Sequence, residues 1–303
     1  MGNKRFSGVL VPALTPFKAD LSPDKERFVE HCRWLLDQGA DGLAAFGTTS
    51  EANSMSIDER MELLETLVEA GIPGSKLMPG TGACSITDSI RLTKQAVELG
   101  CGGVLMLPPF YYKGVSDDGL FANFSEIIQQ VGSSSLQVYL YHIPPQAVTP
   151  ISLNLIEMLV KEYPDTVVGL KDSSGDWSNT EAVIKNFPGF TVFPGSETFL
   201  LQGLRAGGAG CITATGNANP AGIRKVYENW QTDEADALQA RITEVRMAIQ
   251  AYPLIPALKQ MVANFHSAPG WEQTRPPLGV LDAEKTAGLL ADLKKIGFEL
   301  AAR

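Results

Sequence analysis

The apolar residues of this chain alternate between two kinds of segment, and this alternation restricts the fold more than any other feature. Short apolar runs, typical of buried strands, are separated by longer stretches in which apolar residues recur every three or four positions, as on one face of a helix. Strands that alternate with helices form parallel sheets. The runs lie at 8–14, 42–47, 76–82, 102–108, 137–144, 166–172, 190–195 and 208–214.

Eight such units predict a closed (β/α)₈ barrel over residues 1–231, with a doubly wound open sheet as the alternative. A weak internal repeat supports this, since a helix ends in glycine and a strand begins at once near residues 39, 100 and 207. After residue 231 the strand-like runs stop. We expect residues 232–303 to form a helical extension, with helices at 233–251, 253–266 and 283–300. It would cover the flank of the barrel or make a subunit contact.

Composition narrows the class of protein. The 303 residues carry a net charge of −9 and have a pI near 5.0, which argues against nucleic acid or an anionic membrane as the main partner. The N-terminal apolar stretch is interrupted by Pro12 and Pro16, so we expect neither a signal peptide nor a membrane span. Four scattered cysteines are typical of a reduced, cytoplasmic protein. The three histidines show no ligand spacing, so we expect no metal, and His142 should face the covering helices.

A lysine lies inside the apolar run 166–172, where a buried strand should not carry a charge. Strand alternation puts Lys171 on the face of Gly169, which leaves room around the lysine stem. Val168 and Leu170 then face the covering helices. Burial favours the neutral amine, a nucleophile that can form a Schiff base with a ketone. The alternative is a lysine at the exposed end of the strand, paired with Asp172.

Polar residues follow other strands at the carboxyl end, where barrels of this kind place reactive groups. Residues 47–51 (Gly-Thr-Thr-Ser-Glu) offer hydroxyls and backbone N–H groups that suit a carboxylate, or form an ordinary helix N-cap. Tyr141 lies nearer the strand end than Tyr139, and its phenol can transfer a proton or simply fill the interior. Tyr111 and Tyr112 provide further phenols at the mouth of the barrel.

Three motifs together resemble those of the dihydrodipicolinate synthase and N-acetylneuraminate lyase family. They are Gly-Thr-Thr-x-Glu at 47–51, Tyr-x-Ile-Pro at 141–144 and Gly-Leu-Lys-Asp-Ser-Ser-Gly-Asp at 169–176. The resemblance extends over nearly the whole chain, with the motifs in the same order and at similar spacings. It implies a (β/α)₈ barrel with a C-terminal helical extension, assembled as a homotetramer or homodimer. It also implies catalysis through a lysine Schiff base with pyruvate or another 2-oxo acid, without a cofactor.

The resemblance assigns roles residue by residue. Lys171 matches the Schiff-base lysine, and Tyr141 matches the tyrosine that donates and accepts a proton beside the imine. Thr48 and Thr49 match the pair that holds the carboxylate of the 2-oxo acid and relays a proton.

Two further roles depend on loops. Ile212 matches the residue whose backbone contacts bound pyruvate. Tyr111 matches a relay tyrosine, although one extra residue in the following loop leaves Tyr112 open for this role.

The chain departs from the family pattern at two positions. Ser50 stands where the turn often has glycine, which is tolerable if its φ is negative. Gln146 stands where synthases that condense pyruvate with aspartate semialdehyde carry an arginine for the second carboxylate. Glutamine cannot form that charge-assisted bidentate clamp. With Tyr112, Gln146 is expected to border the acceptor pocket.

We therefore expect a metal-free lyase that cleaves or forms a C–C bond between pyruvate and an aldehyde, as in a 2-keto-3-deoxy sugar acid or a sialic acid. The alternatives on the same imine are dihydrodipicolinate synthesis and dehydration of a 2-keto-3-deoxy acid. From other classes, a metal-dependent hydrolase barrel and a non-catalytic 2-oxo-acid-binding barrel remain open.

Overall fold

Short parallel strands line a central barrel in the structure, a computed structural model that describes residues 4–302. Each strand is buried along its whole length. The strands are β1 (Gly8–Val11), β2 (Gly42–Leu43), β3 (Val104–Met106), β4 (Val138–His142), β5 (Val167–Asp172), β6 (Thr191–Pro194) and β7 (Gly210–Ile212).

The strands form two parallel sheets, and backbone hydrogen bonds in the gap between β2 and β3 and in the gap between β6 and β7 join these sheets into a closed barrel. β1 pairs in parallel with β2 and β7, while β3, β4, β5 and β6 pair in that order. The apolar run predicted at 76–82 bridges β2 and β3, since the Met78 N–H donates to Leu43 O (2.8 Å) and the Leu105 N–H donates to Pro79 O (2.9 Å). The Ala209 N–H bonds to Val192 O (2.9 Å) across the other gap. The predicted (β/α)₈ barrel is confirmed, with the third unit held by bridges instead of a regular ladder.

Helices surround the barrel, and most begin at a residue whose side chain caps the helix by accepting a hydrogen bond from a backbone N–H of the first turn. Ser56 caps α2 and, with Glu59, forms a reciprocal capping box. The helices are α1 (Lys25–Asp37), α2 (Ile57–Glu69), α3 (Ile86–Glu98), α4 (Asp117–Val131), α5 (Pro144–Ala147), α6 (Leu153–Glu162), α7 (Trp177–Asn186), α8 (Leu200–Ala206), α9 (Pro220–Asn229), α10 (Ala235–Gln250), α11 (Leu254–Phe265) and α12 (Ala283–Lys295).

One prediction about strand alternation is wrong. Val168 packs with the barrel interior, whereas Leu170 belongs to the layer between the barrel and the helices. The cause is a register shift between β4 and β5: Val138 is opposite Val167, but Tyr139 is already opposite Gly169. The extra residue changes the facing of Val168, as a bulge does.

The C-terminal helices α10, α11 and α12 confirm the three helices expected after residue 231, although α12 ends at Lys295 and not at 300. Their apolar cluster includes Leu14, Ala214 and Ala218, which follow β1 and β7. The extension therefore packs against the carboxyl ends of barrel strands and not only on the flank. The boundary at residue 231 stays a prediction.

Candidate functional site

Lys171 and Tyr141 lie side by side on adjacent strands. They are direct register partners in β4 and β5, and Lys171 Nζ lies 4.3 Å from the centroid of the Tyr141 ring. Both residues are buried, at 4% and 3% exposure. Lys171 makes no ion pair or hydrogen bond with any residue between positions 4 and 302, so its amine is available to a ligand.

The alternative of an exposed lysine paired with Asp172 is wrong. The Asp172 carboxylate accepts hydrogen bonds from Thr180 Oγ1 (2.6 Å), Asn179 Nδ2 (2.9 Å) and the Ser174 N–H (2.9 Å). Asp172 thus has three partners on its own side of the strand. Its negative charge does not hold the Lys171 side chain.

Gly169 makes room, but for a different side chain than expected. A Cβ at this position would lie 2.4 Å from Thr191 O and 2.6 Å from the Tyr139 ring. The space beneath Lys171 is filled by Tyr139, whose hydroxyl accepts a hydrogen bond from the Phe6 N–H (2.9 Å). Burial raises the pKa of Tyr139 to about 12. Tyr139 therefore stays protonated and fills the barrel interior next to Gly169. This leaves Tyr141 as the phenol beside the Lys171 amine.

The turn after β2 brings hydroxyl groups to the same place. Thr48 Oγ1 lies 3.3 Å from the Tyr141 hydroxyl, within hydrogen-bond range. Thr48 and Thr49 both border the cavity that contains Lys171. Ser50 is not among the residues of positive φ in the described chain, so its substitution for glycine is unstrained; the left-handed residue is Glu51, with φ of 57°.

These groups share one cavity of about 280 Å³, near the lower limit for small-molecule sites. Its walls combine hydroxyls, an amide, a carboxylate, an amine and a guanidinium with a few apolar groups. They are formed by Thr48, Thr49, Tyr141, Ile143, Pro145, Gln146, Lys171, Asp172, Ser173, Gly175, Thr180, Gly195, Ser196, Phe199, Ala214, Arg246 and Leu254.

The other predicted residues lie in three different places. Gln146, on α5, borders the cavity as expected. Ile212 is fully buried in the barrel interior and does not border it. Tyr111 and Tyr112 are 75% and 74% exposed and lie outside the cavity, edge to face with each other. Within this chain the structure does not bring the predicted relay tyrosine to Lys171, so that role stays a prediction.

Sequence reasoning missed Arg246, the second basic residue that borders the cavity. It lies on α10, and its Nη1 is 3.3 Å from both Glu197 Oε2 and Thr213 Oγ1. Its Nε donates to Gln250 Oε1 (3.0 Å), while Nη2 has no partner within the part of the chain that the structure describes. No motif or spacing marks an arginine towards the end of an ordinary amphipathic helix. Only the packing of α10 against the barrel identifies it.

The histidines serve other purposes. His142 Nδ1 accepts a hydrogen bond from the Ile151 N–H (2.9 Å), and burial lowers its pKa, which confirms its expected structural placement. His31 Nε2 lies 2.9 Å from Asn217 Oδ1, and His266 Nε2 lies 3.0 Å from Ala301 O.

Among residues 4–302 no three His, Cys, Asp or Glu side chains converge as a metal-binding group. No helix in this part of the chain is both long and apolar enough to span a membrane.

The chain is similar to known proteins over nearly its whole length. The model of the Dihydrodipicolinate synthetase family matches residues 5–296. A relative from Chloroflexus aurantiacus, described as an uncharacterized DapA-like lyase, is 35% identical over 291 residues, which cover 95% of this chain and 96% of the relative.

Solved structures are similar over the same length. The dihydrodipicolinate synthase of Agrobacterium tumefaciens superimposes with a TM-score of 0.90 at 31% identity, covering 97% of this chain and all of that one. A variant of the Sulfolobus solfataricus 2-keto-3-deoxygluconate aldolase gives a TM-score of 0.85 at 25% identity, covering 95% and 96%. The chain therefore belongs to the dihydrodipicolinate synthetase family of lyases.

Proposed function

We propose that this lyase forms a Schiff base between Lys171 and pyruvate and makes or breaks a C–C bond between pyruvate and a polar aldehyde. The observation that carries the proposal is the position of Lys171, which is buried, has no ionic partner among the described residues 4–302, and has its Nζ 4.3 Å from the Tyr141 ring centroid. A buried amine beside a phenol in a small cavity suits imine chemistry. Family membership supports the same reaction type.

In the cleavage direction the neutral Lys171 amine attacks the C2 carbonyl of the 2-oxo acid. Loss of water gives an iminium, which accepts the electron pair of the C3–C4 bond as that bond breaks. The C4 hydroxyl loses its proton and becomes the aldehyde, and the resulting enamine takes up a proton at C3. Hydrolysis of the iminium releases pyruvate and the free amine. Synthesis reverses these steps.

The contact between Tyr141 and Thr48 supports a role for both residues in moving the protons of this reaction. The 3.3 Å separation between the Tyr141 hydroxyl and Thr48 Oγ1 allows a proton to pass between them. The hydroxyls of Thr48 and Thr49 also suit the carboxylate of the 2-oxo acid. Binding that carboxylate would hold C2 against the amine, and such positioning is a large part of catalysis.

The acceptor half of the cavity favours a hydroxylated aldehyde. Gln146, Ser173, Ser196 and Arg246 contribute an amide, two hydroxyls and a guanidinium to the wall. These groups donate and accept hydrogen bonds, as sugar hydroxyls require. The similarity to a 2-keto-3-deoxygluconate aldolase supports the same substrate class.

Condensation with aspartate semialdehyde is the second candidate, because the cavity contains an arginine that the sequence did not reveal. Gln146 cannot hold a second carboxylate by charge, but Arg246 borders the same cavity, and its Nη2 has no partner among residues 4–302. A guanidinium can bind a carboxylate through two hydrogen bonds. Relatives at 29–32% identity are described as 4-hydroxy-tetrahydrodipicolinate synthases.

Borohydride reduction in the presence of pyruvate tests the proposed imine. We expect one reduced pyruvate adduct, located by peptide mass spectrometry on Lys171, with Lys171→Met unlabelled. Lys161→Met, at an exposed lysine on α6, should label normally. A wild-type protein that turns over substrate without labelling would refute the proposal.

The second substrate is identified by a panel of assays. Pyruvate release from 2-keto-3-deoxy sugar acids would support the aldolase, and consumption of aspartate semialdehyde with pyruvate would support the synthase. A dehydrated product without pyruvate release would indicate a dehydratase. Saturable pyruvate binding without exchange of its methyl protons in heavy water would indicate a non-catalytic barrel.

A further inference from the structure

A buried ion pair joins α11 to the turn that carries Thr48 and Thr49. Lys259 Nζ contacts Glu51 Oε1, and both side chains are completely buried. Neither residue borders the cavity, so neither contacts a ligand there. Burial lowers the pKa of Lys259 to about 8, against the opposing effect of the Glu51 carboxylate.

Both members of the pair have further partners. The second Glu51 oxygen, Oε2, accepts a hydrogen bond from the Arg275 N–H (3.0 Å). Lys259 Nζ also donates to Gln273 O (2.8 Å) and lies 4.4 Å from the centroid of the Phe17 ring. Glu51 is therefore held by the C-terminal extension through both oxygens.

Glu51 is also the strained residue of its turn. Its φ of 57° is left-handed, a conformation that persists in non-glycine residues where the surroundings hold it. The Glu51 N–H bonds back to Thr48 O (3.1 Å), which closes the turn directly onto the cavity residue. On the far side Thr15 Oγ1 donates to Ser50 O (2.8 Å). Anchoring Glu51 thus fixes the backbone on which the threonine hydroxyls are mounted.

Stability alone is a weak reason for such a pair, because well-packed apolar residues often replace buried ion pairs without loss. We propose that Lys259 and Glu51 are positioning residues that hold the Thr48–Thr49 turn in the geometry that binds the carboxylate of the 2-oxo acid. This inference rests on the proposed function. If the inference holds, the C-terminal extension contributes to substrate binding through the Lys259–Glu51 ion pair, which does not itself touch the substrate.

The decisive variant is the double substitution Glu51→Gln with Lys259→Met. It removes both charges together, so no unpaired charge remains in the interior and the fold should persist. A misplacement of about 1 Å can cost about 10²-fold in rate, so we expect a smaller displacement to raise the half-saturating pyruvate concentration about tenfold. That concentration is measured by borohydride trapping and by calorimetric titration. The trapped fraction at saturating pyruvate should stay near the wild-type value.

Leu293→Ala is the matched control, since Leu293 is fully buried in the C-terminal cluster on α12, which packs against α10 and α11, whereas the bonds to Glu51 come from Lys259 and Arg275. It should lower the melting temperature without changing the half-saturating concentration. Backbone hydrogen exchange gives a readout that needs no catalysis: amides 48–52 should exchange faster in the double variant and not in the control. Lys259→Met alone, which leaves the buried Glu51 carboxylate without its ammonium partner, should show the larger effect on both readouts.

Wild-type pyruvate affinity together with wild-type exchange at amides 48–52 in the double variant would overturn the inference. An equal loss of affinity in Leu293→Ala would do the same, because it would assign the effect to general destabilisation. If the wild-type protein binds no pyruvate, the proposed function has failed. The exchange rates then decide separately whether the pair holds the turn.

Discussion

Replacing Gly169 by alanine should displace Lys171 and lower both the stability and the activity of the protein. The added Cβ would lie 2.4 Å from Thr191 O and 2.6 Å from Tyr139 Cδ1, whereas ordinary contact begins at 3.4 Å. The gap to the carbonyl must therefore grow by about 1 Å, the difference between 3.4 and 2.4 Å. Because Thr191 O belongs to the backbone of β6, no side-chain rotation relieves this contact. β5 and β6 must therefore separate, and Lys171 is two residues further along β5.

Two effects should follow from this displacement. Overpacking of a core typically costs about 1–3 kcal/mol, so the free energy of unfolding should fall by that amount. A displacement of about 1 Å in a reacting group can cost about 10²-fold in rate, so kcat should fall far more than the loss of stability explains. Urea unfolding measures the first effect, and pyruvate release or borohydride trapping of Lys171 measures the second.

Gly103→Ala is the matched comparison. Its Cβ would meet the other side of the same ring, 2.7 Å from Tyr139 Cε2, but Gly103 precedes β3 and not the strand that carries Lys171. We expect a comparable loss of stability with a smaller loss of kcat. Equal activity losses in the two variants, or wild-type kcat in Gly169→Ala, would refute the argument.

Three further predictions follow from the described contacts. Tyr141→Phe removes the phenol that lies 3.3 Å from Thr48 Oγ1, so kcat should fall about 10²–10⁴-fold while Lys171 is still labelled; an unchanged rate of pyruvate release would contradict this. The hydrogen-bonded guanidinium of Arg275 lowers the pKa of Glu59 from 4.5 to about 2, so this pair stabilises the fold above pH 4.5 and the contribution is lost as the pH falls towards 2. The free energy of unfolding, measured with urea between these pH values, should fall less steeply with decreasing pH in Glu59→Gln than in the wild type. An identical slope in the two proteins would be inconsistent with the pairing. Of the four free cysteines only Cys84 is exposed, so a thiol reagent should modify one cysteine quickly in the native protein and the others after unfolding; a second fast thiol would oppose this.

Periodicity and motifs were enough to predict the architecture and to name the two residues, Lys171 and Tyr141, that the structure brings together in one cavity. Buried strands and amphipathic helices have local signatures, so the barrel and the three C-terminal helices followed from the order of apolar residues. Lys171 and Tyr141 could be named as candidates because a charged residue in an apolar run and a tyrosine at a strand end can both be read from the order of residues alone. Parallel neighbours in a barrel share one carboxyl edge, which predicts that such residues meet.

What the sequence by itself determined, then, is which residues lie on strands and which strand ends carry reactive groups. The tertiary structure decided everything that depends on contact between distant segments. It brought Arg246 to the cavity and Lys259 to Glu51, although more than 70 and 200 positions respectively separate them from Lys171 and Glu51 in the chain. It turned Val168 inward through a register shift and left Tyr111 exposed. The physical reason is that helix docking and strand register depend on how whole surfaces pack, which the spacing of residues along one segment does not record.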